Sequence, residues 1–324
     1  MRFSARSSLA IIAAFTLLLG ATGGASAARQ PTSAHASWPT SYMGVYRGHS
    51  GEARAAAGKG GAKNLLSNGG AIQTTPAIYI SWWGPEWGGS GFSTGGYSSA
   101  KAQTYNHDFF SNVGGSAWND IVRQYCQNVP RGTTNCASVA GAAYISNPAA
   151  QLKGEWNDPT IVPASPSQTD IANAAKRLAA QFGYNANATY MVFTPTGKSM
   201  NGFAATGGNW CAWHSSTASP SGTLAYAYIP YLPDAGPSCG MNFINPNNSY
   251  GNGWFDGFSV VAGHEYSEAE TDPFPSSGWT DRSGAENADK CAWSAKSANI
   301  TLSGKVYAVQ PTWSNAIGGC PTVS

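Results

Sequence analysis

The stretch VVAGHEYSEAETDP, residues 260–273, carries His264, Glu265 and Glu268 in a His-Glu-x-x-Glu pattern. On a helix, residues four apart share a face, with Cβ atoms about 5–6 Å apart. The imidazole of His264 and the carboxylate of Glu268 can therefore grip one metal ion. Glu265 stands about 100° further round the helix, the place of the general base in His-Glu-x-x-His zinc enzymes. The rival reading is a solvated acidic helix, since Glu265, Glu268, Glu270 and Asp272 follow one another closely. The apolar Val260-Val261-Ala262-Gly263 just before His264 speaks for burial. Buried acids without partners are costly, and a cation offsets that cost.

A third ligand has to come from outside this helix. The segment GWTDRSGAENADKCAW, residues 278–293, supplies Glu286 and Asp289 about one turn apart. Gluzincins take their third ligand, a Glu, from a second helix at a comparable spacing. An Asp a few residues later orients the first His. By that logic Glu286 is the ligand and Asp289 its outer partner. Three alternatives stay open. Asp272 could fold back from the helix end, Asp289 could ligate instead of Glu286, or His214 of NWCAWHSS could complete the site. His214, beside Trp213 and near Cys211, reads more readily as a packed or hydrogen-bonded residue.

Glu265 is the expected base, and His214, Tyr266, Tyr250 or Arg282 the donor that would steady a developing oxyanion. One imidazole with two or more carboxylates is a hard donor set. Zn2+ accepts it, and Mn2+ or Ca2+ suit it as well. The substrate class this implies is protein or peptide.

Other chemistries find less support. No Gly-x-Ser-x-Gly elbow is present, and the Gly-rich run at 88–96 lacks a following Gly-Lys-Ser/Thr, so it is no phosphate cradle. Glu265 with Glu286 could serve as the carboxylate pair of a glycosidase without any metal. Trp82, Trp83, Trp87, Trp210, Trp213, Trp254 and Trp279 could line a groove for sugar or peptide, or could simply fill the core.

The elements that must position these groups are legible in part. Asp256 can cap a helix over 257–271, which Pro273 ends. TPAIYISWWG (75–84), SVAGAAYIS (138–146), ATYMVFTP (188–195) and TLAYAYIPYLP (223–233) read as strands. Residues 100–126 read as mostly helical. Ser167 and Asp170 open a helix whose stripe is Ile171, Ala174, Ala175, Leu178 and Phe182, ended by Gly183. Residues 298–313 read as a hairpin turning at Ser303-Gly304. Strands and helices do not alternate strictly, so the expected class is α+β, a mixed central sheet with packed helices and a zincin-like active helix.

Residues 1–28 have the form of a secretory signal peptide: Arg2 and Arg6, an apolar Leu9–Leu19, then Ala25-Ser26-Ala27. Residues 29–70 read as a flexible leader or an inhibitory pro-segment, and 71–324 as one domain. Removing Arg2 and Arg6 leaves 16 Lys+Arg against 16 Asp+Glu. A neutral chain gives no footing for nucleic acid or an anionic membrane, and a monomer is expected. Six cysteines behind a signal peptide read as disulfides. Sequential pairing, Cys126 with Cys136, Cys211 with Cys239 and Cys291 with Cys320, closes the shortest loops.

Several stretches together carry a resemblance: FFSNVGGSAWNDIVRQYC (109–126), NGFAATGGNWCAWHSS (201–216), AYAYIPY (225–231), TDPF (271–274) and ENADKCAW (286–293). The chain resembles the phosphate-induced, exordium-like family of secreted proteins, best known from plant cell walls, and looks like a bacterial member. The resemblance implies an extracellular protein, with cell-wall polysaccharide as a partner. Plant members have Thr-Asn-Pro-Phe at the TDPF position and lack the His-Glu pair, so their growth-linked role does not carry over to His264, Glu265 and Glu268. A non-catalytic wall protein with a structural ion is the alternative to a secreted metallopeptidase.

Overall fold

The computed structural model describes Tyr42–Met43, residues 64–89 and residues 91–324. The signal peptide and most of the leader lie outside the described residues. Residues 64–70, grouped with the leader on composition, belong to the folded body. Leu65 is fully buried, and Leu66–Ser67 pairs with Trp279–Thr280.

The main sheet has six strands: β1 (Tyr42–Met43), β2 (Ala77–Trp83), β3 (Leu152–Asp158), β4 (Ala188–Phe193), β5 (Trp213–Ser219) and β6 (Gly222–Ile229). Their order is β1-β5-β6-β4-β2-β3. From β6 to β3 neighbours run parallel; β5 is antiparallel to β6, and β1 antiparallel to β5. The central strands are buried on both faces, hence the near-continuous apolar and aromatic runs IYISWW and TYMVF.

Three helices pack on this sheet: α1 (Ser99–Asn112), α2 (Gln168–Phe182) and α3 (Gly263–Thr271). Ser167 caps α2 in a reciprocal box with Asp170, and the stripe Ile171, Ala174, Ala175 and Leu178 is fully buried. Phe182 closes the stripe at its rim, stacked on Tyr79 at 5.2 Å. Tyr79 and Tyr190 thus face α2, whereas Trp82 and Phe193, three residues further along their strands, face the other way. Phe258, just before α3, meets Phe193 on that second face. The two helices therefore cover opposite sides of the sheet.

The expected helix over 257–271 is present with one irregularity: Phe258–Ala262 forms a π turn before α3. Such an insertion re-aims the side chains that follow it. Asp256 caps no helix end. Its carboxylate accepts from the amides of Gly253 (2.9 Å), Asn245 (2.7 Å) and Ile244 (3.1 Å), and so holds the preceding loop.

The stretch 100–126 is helical only to Asn112, followed by a short 3-10 turn over Asn119–Gln124. Of 138–146, only Ala143–Tyr144 is strand, because the short Cys126–Cys136 loop and Gly141 at φ 79° bend the chain there. The hairpin forms as expected, β7 (Ala298–Leu302) and β8 (Lys305–Val309) joined through Ser303 and Gly304, both at positive φ. All three sequential disulfides are present. The tryptophans fill the core: Trp82, Trp83, Trp87, Trp210, Trp213 and Trp279 are buried, and Trp254 stacks on Tyr97. No helix among the described residues is long and apolar enough to cross a membrane.

Candidate metal centre

Helix α3 brings His264, Glu265 and Glu268 under the sheet, packed against β5 and β6. On β5, Ser215 hydrogen-bonds Tyr226, which also meets Gln168 of α2. Its neighbour His214 must then point to the α3 side, because side chains alternate along a strand. The loop 281–291 completes the approach. It is tied down by the Cys291–Cys320 disulfide and by Asn287, whose Nδ2 donates to the carbonyl (3.0 Å) and hydroxyl (2.9 Å) of Ser267.

The result is a buried cluster of two imidazoles and several carboxylates. His264 Nε2 lies 2.9 Å from Glu268 Oε1 and 3.6 Å from Asp289 Oδ1. The Asp289 amide also donates to Glu268 Oε1 at 2.9 Å. On the other side, His214 Nδ1 lies 3.3 Å from Glu265 Oε2 and 3.6 Å from Glu268 Oε2. His214 Nε2 faces the Asp272 carbonyl at 3.2 Å and Glu286 Oε1 at 3.5 Å. In each of two groups, His264/Glu268/Asp289 and His214/Glu265/Glu268, the donor atoms all lie within 4.8 Å of one another. That spread suits one divalent ion per group.

Electrostatically the cluster is incomplete as pure protein. His214, His264, Glu265, Glu268 and Glu286 have no exposed surface, and only the Asp289 side chain, 18% exposed, touches solvent. Both His264 nitrogens, Glu268 Oε2 and both Glu286 oxygens lack hydrogen-bond partners. Burial pushes the Glu268 carboxyl up to about 7, against the pull of His264. Burial, with Glu268, Asp272 and Asp289 around it, pushes Glu286 well above the carboxylate range. Burial draws the His264 imidazole down, but Glu268 and Asp289 more than offset that and hold it well up. Burial is the largest cause at Glu268 and Glu286, and the crowding of carboxyl groups holds both imidazoles, His214 as well as His264, above their ordinary value.

Set against the sequence expectations, the structure reassigns several residues. Asp289, expected as an outer partner, joins His264 and Glu268, whereas Glu286, expected as the third ligand, lies against His214. Asp272 turns away: its carboxylate accepts from the amides of Ser276 (2.6 Å), Ser277 (3.0 Å) and Gly278 (2.6 Å). Gly278 is required there, since a Cβ would come within 2.1 Å of the Thr271 carbonyl.

Among the four expected oxyanion donors, His214 alone reaches the cluster. The Tyr266 hydroxyl donates to Gln151 at 2.6 Å, and Tyr250 is bonded to Asp108 and Tyr307. Arg282 lines a surface cavity of about 370 Å³ with Arg131 and Asp281. Neither this cavity nor a second one of about 400 Å³ is lined by a cluster residue. Asn287 was missed by the sequence reading; its place between Glu286 and Asp289 was the available signal.

Comparison with protein-family models, with curated proteins and with solved structures finds no match to this chain.

Proposed function

We propose that the chain is a secreted metal-dependent hydrolase of the endopeptidase type, its ion held by His264, Glu268 and Asp289 on a zincin-like helix. The observation that carries this reading is the His264–Glu268–Asp289 group, with donor atoms converging and no lysine or arginine among the described residues paired with Glu268 or Asp289. Zn2+, Mn2+ and Ca2+ are the ions such donors favour. A divalent ion there would act as a Lewis acid toward a carbonyl. The protein's share is to fix the donors and keep water out. Glu265 is the proposed proton acceptor, with His214 beside it at 3.3 Å to orient its carboxylate.

A specific observation favours a second reading, a structural ion in a non-catalytic extracellular protein that meets cell-wall polysaccharide. Asp289 is the only site residue with exposed surface. Under the peptidase reading, this is a closed form. Tyr42–Met43 pairs with Ser215 and His214 on the strand that bears the site, so removal of the leader is the change to test.

Casein hydrolysis by the chain with and without residues 29–63, with and without chelator, separates these readings. The peptidase reading expects activity that appears on leader removal, stops with chelator and is lost in Glu265→Gln. A bound ion with no hydrolysis in any form supports the structural reading. Sugar release indifferent to chelator would instead favour a Glu265/Glu286 glycosidase.

A further inference from the structure

We infer that the cluster is a two-ion centre, with Glu268 bridging a first cation at His264 and Asp289 to a second at His214 and Glu265. This rests on the metal-dependent hydrolase reading above and revises one role in it: Glu265 ligates the second ion instead of serving as the free proton acceptor.

The two oxygens of Glu268 are turned to different neighbours. Oε1 meets His264 Nε2 at 2.9 Å, while Oε2 faces His214 Nδ1 at 3.6 Å. Oε2 has no hydrogen-bond partner and is fully buried. A carboxylate split between two imidazoles in this way is the geometry of a bridging ligand, and paired ions in hydrolytic centres stand about 3.5–4 Å apart.

His214 supplies an independent argument. Its Nε2 faces the Asp272 carbonyl at 3.2 Å, and a carbonyl can only accept, so Nε2 carries a hydrogen. Nδ1 faces two carboxylate oxygens, Glu265 Oε2 at 3.3 Å and Glu268 Oε2 at 3.6 Å. A hydrogen on Nδ1 would bond Glu265 alone; a cation in its place would take all three donor atoms, which lie within 4.8 Å of one another. A carbonyl behind the far nitrogen is how ligating histidines are held in many metal sites.

The cluster gathers four carboxyl groups, Glu265, Glu268, Glu286 and Asp289, while Asp272 is satisfied by backbone amides. The nearest basic side chain in the loop, Lys290, is committed to Asp281 at 2.8 Å. Glu286, fully buried and without a hydrogen-bond partner at either oxygen, sits 3.5 Å from His214 Nε2, on the other side of the ring from the second site.

Equilibrium dialysis of the full chain against Mn2+, followed by metal analysis, tests the inference. The wild type should bind two ions per chain, and His214→Ala should bind one while keeping the His264 site. Electron paramagnetic resonance of the Mn2+-loaded wild type, which needs no variant, should show the exchange-coupled signal of a pair. One ion per chain with an isolated-ion signal overturns the two-ion inference and leaves the single-ion hydrolase standing; His214 would then be protonated. Two ions in His214→Ala as well would place the extra ion elsewhere and also overturn it. No bound ion overturns both.

Discussion

Asp256 and Glu286 are both fully buried carboxylates that abut the same helical segment, yet the protein treats them in opposite ways. Asp256, at its start, accepts from three backbone amides and from Asn245 Nδ2. Asp272, at its end, accepts from three amides, and Asp158 takes the guanidinium of Arg177, with Nε at 2.8 Å. Glu286 and the Oε2 atom of Glu268 receive nothing. This chain has the means to satisfy a buried acid with its own donors, and uses them on both sides of the cluster. Their omission at the centre is what the proposed cation would answer. Sequence alone could not draw that distinction, since Asp256, Glu268 and Asp272 look alike there.

The contrast can be broken from either side. Asp256→Ala should have the largest effect on stability, about 4 kcal/mol, because it removes a fully buried carboxylate and strands the three amides that it holds. The loss should be the same with and without chelator, read as a shift in the denaturation midpoint. Chelation of the wild type should cost about 3 kcal/mol if free ion stands at roughly a hundredfold over its dissociation constant. The chelator effect should vanish in His264→Ala.

Glu286→Gln should act differently in the two states. Without metal, burial holds the Glu286 carboxyl well above the carboxylate range, so an amide replaces a neutral acid and stability should change little. With metal it should weaken ion affinity about 10–100-fold, measured by competition with a chelating dye. If the variant destabilises both states, Glu286 is satisfied in a way the contrast with Asp256 does not describe.

The smallest effect belongs to a carboxylate in solvent. Ser167→Ala should cost about 1 kcal/mol, with no dependence on metal, because it opens the cap of α2. Ser167 holds the Asp170 carboxyl below its usual range. A depressed folded value means that this contribution is present above the ordinary carboxylate range and lost as pH falls through the folded value. The wild type should thus lose its advantage over Ser167→Ala in acid.

Much of the scaffold could be read from the residues themselves. The 3.6-residue stripe of α2, the turn at Ser303-Gly304 and the sequential cysteine pairs depend on local spacing, and the structure agrees with each. On α3, the approach of His264 to Glu268 is likewise a local property of the helix. Contacts between distant segments were less legible. Whether Glu286 or Asp289 faced His264 depended on the path of an irregular loop, and that path is set by Asn287 on Ser267 and by the Cys291 disulfide. His214 reaches the cluster because β5 lies beside β6 with one particular face toward α3, which no spacing in the chain announces. The π turn before His264 likewise left no mark in the apolar pattern.

The most direct test is anomalous diffraction from crystals grown with Mn2+ or Zn2+. The account predicts a strong peak within about 2–2.5 Å of His264 Nε2 and Glu268 Oε1. A folded, well-ordered cluster with no anomalous peak after soaking at millimolar metal, and the same melting temperature in chelator, would contradict it.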